Sequence, residues 1–379
     1  MGMSAVGIIF SNIHDRNISE LTRVRTMASI PYGCRYRLID FALSNMVNAG
    51  IDTINVITHY NYQSLMDHIG SGKDWDMARR SGGIKILPPY ISAFANNQNE
   101  LYHTRLEALK SINHCIAGIK EDYVVMADCD VICNVDLNDM INEHIESGAD
   151  ITFAVQKKTL TVEVAKRNTL IASDETGRIT DFVQKTNNFA GEADMFLNIM
   201  VCSRIYLQQM VLDAIAHDYK SMTKDVLLKT LERRNYRVYR FEGYSAEISS
   251  IEEYFAHSMD LISDPEKYAS LFNVEERPIF TKVRNSAPTY YSETSDVKNS
   301  LIADGCIIDG TVENCILFRG VRVGKGAVVK NSILFQDTFV GDNVSLNCVV
   351  ADKNVVIHEG VTLSGAPTLP FYLEKRKMI

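Results

Sequence analysis

Asn299-Ser300-Leu301-Ile302, Asn314-Cys315-Ile316-Leu317, Asn331-Ser332-Ile333-Leu334 and Asn347-Cys348-Val349-Val350 repeat one four-residue phrase at intervals of 15 to 17 residues. Short β-branched pieces punctuated by Gly, Asp or Asn follow, such as Val321-Arg322-Val323-Gly324 and Phe339-Val340-Gly341-Asp342. A period near three hexads makes each repeat one triangular coil with small and aliphatic residues stacked inside. The pattern predicts a left-handed parallel β-helix of hexapeptide repeats over residues 297–379. An antiparallel sandwich of short strands would not return the same phrase at fixed spacing. A single coil cannot bury its own core, so three or four must stack, and the prism they form has flat sides suited to packing against other subunits.

Outward from this prism, toward the N-terminus, the pattern changes. Between about Ser263 and Asp296, Asp264-Pro265, Pro278, Pro288 and the polar run Tyr291 to Asp296 break the periodicity, which predicts a linker over 263–296. Residues 1–262 alternate strand-like and helix-like segments. Ala5 to Phe10 is an uninterrupted apolar strand, Thr53 to Thr58 a second and Tyr123 to Ala127 a third. Between them, Leu38, Ile39, Ala42, Leu43, Met46 and Val47 form a helical stripe closed by Gly50, and a further helix is expected from about Glu100 to Ile116. Strand–helix alternation predicts an α/β, Rossmann-like domain with a mostly parallel sheet. Such sheets bind ligands at the carboxyl ends of their strands, so chemistry is expected in the loops after Phe10 and after Ala127.

Composition narrows the function classes. The chain has 379 residues, 46% apolar and 23% charged, with a formal charge of −8. That charge argues against a nucleic-acid backbone as partner. No apolar run reaches the ~20 residues that span a bilayer, so no membrane partner is expected. Eight scattered cysteines without zinc spacing read as buried thiols of a cytoplasmic protein.

Further residues carry a resemblance. Tyr32-Gly33-Cys34-Arg35-Tyr36-Arg37-Leu38-Ile39-Asp40-Phe41-Ala42-Leu43-Ser44-Asn45 resembles the segment FGGKYRIIDFxLSN of glucose-1-phosphate adenylyltransferases, and Val56-Ile57-Thr58-His59-Tyr60 is similar to that family's VLTQY. The similarity extends over nearly the whole chain. It implies a GT-A-like nucleotidyltransferase domain, ADP-glucose formation from ATP and glucose 1-phosphate with Mg²⁺, a role in glycogen synthesis, and a tetramer.

Against that pattern, the catalytic parts are altered together. The family's glycine-rich phosphate loop corresponds to Ser11-Asn12-Ile13-His14-Asp15-Arg16-Asn17-Ile18, which has no glycine and adds the charge of Asp15. Bare backbone N–H groups must approach phosphate closely, and side chains fill that space. Met27 stands where the family has a lysine, and Thr104-Arg105-Leu106-Glu107 replaces a small-residue helix start. The resemblance places Asp130, with Asp128 as a second candidate, on one metal aspartate and Glu247 on the other. Mg²⁺ tolerates little displacement of its oxygen ligands. On the sugar-phosphate side Lys185 survives, whereas Gln184 replaces a glutamate. No catalytic residue is therefore assigned, and the metal and sugar-phosphate positions read as vestigial, with Mg²⁺ expected in a complex rather than held tightly by this chain.

This pattern is similar to the regulatory subunits of the family, which accompany a separate catalytic subunit. The expected function is modulation of a homologous catalytic chain in a hetero-oligomer, with a tetramer implied and a homo-oligomer open for the chain alone. The resemblance also implies that Arg25 and Arg37 contact a small anionic effector near the domain junction; Arg forks suit phosphate oxygens. Two alternatives stand beside it. One is an active sugar-1-phosphate nucleotidyltransferase with a divergent loop. The other is a hexapeptide-repeat acyltransferase or interaction scaffold, for which the repeats offer a single histidine, His358, as general base.

Overall fold

The structure, a computed structural model, describes residues 4–79, 81–88, 102–184 and 188–379. Ala5–Phe10 forms the middle of a nine-stranded sheet, flanked in parallel by Thr53–Ile57 and Tyr123–Asp128. Gly83–Leu87 extends the parallel half. Beyond Tyr123–Asp128 the sheet turns antiparallel through Gly191–Ser203, which also pairs with Ile151–Leu160 and Thr169–Ser173. The sheet is thus mixed: its parallel half carries the loops that matter, and its other half is built from a long hairpin-like strand. Continuous apolar runs suit the parallel strands because both of their faces are covered. The helix Leu38–Asn48 packs on one face so closely that a Cβ at Gly7 would lie 2.5 Å from Met46 Sδ.

The helix expected from about Glu100 to Ile116 starts later and breaks once. Thr104 and Glu107 form a capping box that fixes the start at Arg105. Ile112 then interrupts it, giving Arg105–Ser111 and Asn113–Ala117. Glu100 and Leu101 lie outside the described residues.

Segment 263–296 carries structure of its own. Asp264 accepts from the Glu266 and Lys267 amides and Pro265 opens a helix, Pro265–Phe272. Asp-Pro, which reads as a turn, is here an N-cap followed by the proline that suits a first helical position. Phe272 stacks on Tyr36 at 4.8 Å. The first prism strand, Tyr290–Tyr291, also lies within this segment.

From there three five-stranded parallel sheets form the sides of the hexapeptide-repeat β-helix. The repeated phrase has a backbone reason. Asn299, Asn314 and Asn331 adopt positive φ at a corner of each coil, a conformation asparagine tolerates. Their side chains link into an amide ladder, Asn299 to Asn314 at 2.8 Å, Asn314 to Asn331 at 3.3 Å and Asn331 to Asn347 at 2.9 Å. At the last phrase Cys348, not Asn347, takes the positive φ.

One side of the prism is docked on the first domain. Ile316, Ile333, Val350, Phe318 and Phe335 share a hydrophobic core with Ile30, Tyr254 and Phe255. Within this apolar seam sits an ion pair. Arg25, 1% exposed, donates from Nη2 to both oxygens of the fully buried Asp352, at 2.6 and 2.9 Å. Tyr372 Oη lies 3.1 Å from Asp352 Oδ2 and 2.7 Å from the Glu20 carbonyl. Removing one partner of a buried pair strands the other charge, at a cost of about 3–5 kcal/mol. Arg25→Ala is expected to lower stability by that order in urea denaturation. Arg25→Met combined with Asp352→Leu is expected to recover most of the loss.

Candidate functional site

In the parallel pairing of Ala5–Phe10 with Tyr123–Asp128, Phe10 lies level with Asp128. Consequently the two loops singled out from the sequence meet. A small antiparallel pair, Val131–Cys133 with Ser245–Glu247, sets Glu247 opposite Val131, and the Ile248 amide donates to the Asp130 carbonyl at 2.8 Å. Thus Asp128, Asp130 and Glu247 converge at one end of the sheet from positions far apart in the chain.

The loop at 11–18 is closed on itself. Asn12 Oδ1 accepts from Ser11 Oγ at 2.7 Å, Thr58 Oγ1 at 2.8 Å and the His59 amide at 3.0 Å. Asn12 Nδ2 donates to Asp15 Oδ2 at 2.6 Å, and Asp15 Oδ1 accepts the Met27 amide at 2.7 Å. The amides of Asp15 and Asn17 donate to the carbonyls of Asn12 and His14. These main-chain donors, which an open phosphate cradle would present to its ligand, are already used. Asp15 stands as an internal carboxylate on the loop; burial pushes its pKa up to about 6 against the bonds from Asn12 and Met27.

Two cations sit on the acidic centre. Arg105 grips Asp128 with Nε at 2.9 and 3.0 Å and with Nη2 at 2.6 Å. Arg105 Nη2 also donates to Asn198 Oδ1 at 2.5 Å, and Asn198 Nδ2 donates to Asp130 Oδ2 at 2.9 Å. His14 Nε2 lies 2.6 Å from Asp128 Oδ2 and 3.4 Å from Asp130 Oδ2. Burial opposes protonation of His14, but the carboxylates of Asp130 and Asp128 outweigh it and lift the pKa to about 9. Burial also opposes ionisation of Asp128, yet Arg105 and His14 hold its pKa below the usual carboxylate value. Asp130 is shifted up by burial, and Glu247 is pushed to about 7 by burial and by Asp130.

Such a centre does not fit Mg²⁺. That ion wants an octahedral shell of oxygens and keeps water. Here three of the four oxygens of Asp128 and Asp130 are taken by donors, and a guanidinium and an imidazolium stand beside them. Asp130 Oδ1 is the one left without a partner.

The other predicted residues lie elsewhere. Gln184 is exposed at a strand end and bonds Thr169 Oγ1 at 3.2 Å and Thr223 Oγ1 at 3.1 Å. Lys185 lies outside the described residues. Arg25 is spent on Asp352 in the domain seam. Arg37 donates to the Ser64 carbonyl at 2.5 Å and its hydroxyl at 3.1 Å; burial lowers its pKa to about 10. Beside these two, Lys353 was missed from the sequence. Desolvation first, then Arg37 and Arg25, bring its pKa down to about 6. His14, Arg105 and Asn198 were missed as well. His14 and Arg105 occupy the two segments that depart from the family pattern, and the signal for them is the charge each adds there. His358 is exposed at the end of the prism. The eight cysteines are free and all but Cys115 are buried, and among the described residues no helix is long and apolar enough to cross a membrane.

Residues 16–262 match the nucleotidyl transferase family, and residues 287–367 match the GlmU-like C-terminal hexapeptide family. The glycogen biosynthesis protein GlgD of Bacillus subtilis is 32% identical over 370 residues, covering 98% of this chain and 95% of the relative. Glucose-1-phosphate adenylyltransferases of Geobacillus stearothermophilus (33% over 340 residues, 87% of this chain, 84% of the relative) and Acetivibrio thermocellus (30% over 369 residues, 96% and 84%) are also similar.

A group whose pKa is raised by folding loses stability as pH climbs between its two values. For Asp15 that window runs from about 4 to about 6. Asp15→Asn keeps an acceptor for the Met27 amide without the buried charge. The variant is expected to gain on wild type as pH rises from 4 to 7, by up to about 2 kcal/mol, read as a growing Tm difference.

Proposed function

Since the chain belongs to the glucose-1-phosphate adenylyltransferase family of nucleotidyl transferases, we propose that it is a regulatory, catalytically impaired subunit. Its partner would be a homologous catalytic chain that makes ADP-glucose for glycogen synthesis, within a heterotetramer. One observation carries this reading: the 11–18 loop, which in an active member would wrap the triphosphate, has no glycine, turns the Asp15 and Asn17 amides onto its own carbonyls and holds the Asp15 carboxylate on the Met27 amide. Each missing charge-assisted bond to phosphate withdraws about 1.5–3 kcal/mol, and a few such losses leave ATP without a productive pose. Lacking chemistry of its own, the chain would act on its partner through the interface, with a coupling of about 1–3 kcal/mol.

The active-enzyme alternative draws support from one atom, the unpartnered Oδ1 of Asp130. An assay separates the two. The pure chain with ATP, glucose 1-phosphate and Mg²⁺ is expected to form no ADP-glucose above background, and its addition to the catalytic subunit is expected to raise that subunit's rate. Sustained turnover by the chain alone defeats the regulatory reading.

A small anionic effector belongs to the same proposal, with its seat moved from Arg25 to Lys353. Arg25 already has Asp352, whereas the Lys353 ammonium, set among Arg25, Arg37 and Lys375, has no acceptor among the described residues. A cleft of about 720 Å³ opens alongside, between the loop residues Asp15 to Val24 and the C-terminal Tyr372 to Lys375. An arriving phosphate would restore the charged form of Lys353, so binding near pH 7.5 should take up a proton. In titration calorimetry with inorganic phosphate and with a sugar phosphate, the apparent enthalpy is expected to differ between buffers of different ionisation heat. Lys353→Gln is expected to abolish that difference and weaken binding roughly tenfold or more. Equal binding by the variant removes Lys353 from the site.

A further inference from the structure

Asp128 and Asp130 end a buried parallel strand, and Glu247 stands beside them; they are 3%, 2% and partly exposed respectively. Buried carboxylates at such density need counter-charge or protons. The chain provides the charge itself. Arg105 comes from the first turn of Arg105–Ser111, and His14 comes from the loop after Ala5–Phe10. Their side chains reach the same oxygen, Asp128 Oδ2, each at 2.6 Å, and Arg105 Nη2 lies 3.5 Å from His14 Nε2. Asn198, held in the left-handed region at φ 57°, completes the ring by donating to Asp130 and accepting from Arg105.

We propose that Arg105 and His14 are a built-in counter-ion that closes this acidic centre to divalent cations and ties the segment from His14 to Arg25 to it without any ligand. The three residues His14, Asp128 and Asp130 have donor atoms close enough together to hold a metal. Arg105 decides against it. A metal between those atoms would sit against the guanidinium and would take His14 away from Asp128. The tie also has a far end. From His14 the chain runs through the short helices Asp15–Ile18 and Ser19–Thr22 straight into the domain seam. There the Glu20 carbonyl meets Tyr372, Arg23 pairs with Glu374 at 2.9 Å, and Arg25 pairs with Asp352. The counter-ion therefore fixes one end of a short segment whose other end is read by the β-helix.

The inference stands on this centre alone and is read by metal binding, so its failure and that of the regulatory role are distinguishable. Mn²⁺ is the probe, followed by electron paramagnetic resonance on the full chain at neutral pH. His14→Gln with Arg105→Gln keeps hydrogen-bonding amides and removes both charges. The wild type is expected to bind no Mn²⁺ at millimolar concentration, and the double variant is expected to bind at least tenfold more tightly. Because a ligand that binds only the folded state raises Tm, Mn²⁺ is also expected to restabilise the double variant and leave the wild type unchanged. Arg105→Gln alone is expected to speed amide hydrogen exchange across residues 14–25. Should the double variant fold poorly, this single variant supplies both readings. Mn²⁺ binding by the wild type as tight as by the variants overturns the proposal, as does a folded variant that still binds none.

Discussion

Negative charge buried at the carboxyl end of one central parallel strand, Tyr123–Asp128, is the constraint from which the rest of this molecule follows. The register that sets Phe10 beside Asp128 places the first loop against the acidic strand end. A low-dielectric setting makes every unbalanced charge there expensive. Proteins answer with a metal, with protons or with their own cations. This chain uses its own cations: Arg105 and His14 cover Asp128, while burial and Asp130 push the Glu247 carboxyl up to about 7.

That choice bears on the loop as well. A phosphate-binding loop works by leaving its amides open and its surroundings positive. Here the loop is folded around Asn12, with the Asp15 carboxylate on the Asn12 side chain and the Met27 amide, and with His14 turned inward to Asp128. The Asp15 and Asn17 amides are bonded within the loop, and a donor that is bonded at rest is not open to another acceptor.

At the other end of the same segment, the domains are joined by an apolar seam with one buried ion pair in it. Arg25 and Asp352 contribute orientation more than net stability, because desolvation offsets much of their attraction. Around them Arg37, Lys353 and Lys375 lie near Arg25 and Asp352, and Glu20 and Glu374 line the cleft alongside.

The architecture was largely legible in the sequence. Short-range chemistry sets it: Asn299, Asn314 and Asn331 recur because each coil needs a left-handed corner, and Ala5 to Phe10 is apolar throughout because both faces are covered. The absence of glycine from Ser11 to Ile18 was equally plain, since it is a local fact of the sequence. The limits of segment 263–296 were less plain, because Asp264-Pro265 serves a helix start and a turn equally well. What only the tertiary structure decided is which charges meet. His14, Arg105, Asp128 and Asn198 are brought together by strand register and by the first turn of one helix, and Arg25 is matched to Asp352 across 327 residues of chain. Sequence fixes the presence of a charge. Its partner depends on distances of a few ångströms, which arise only once the sheet and the prism have packed.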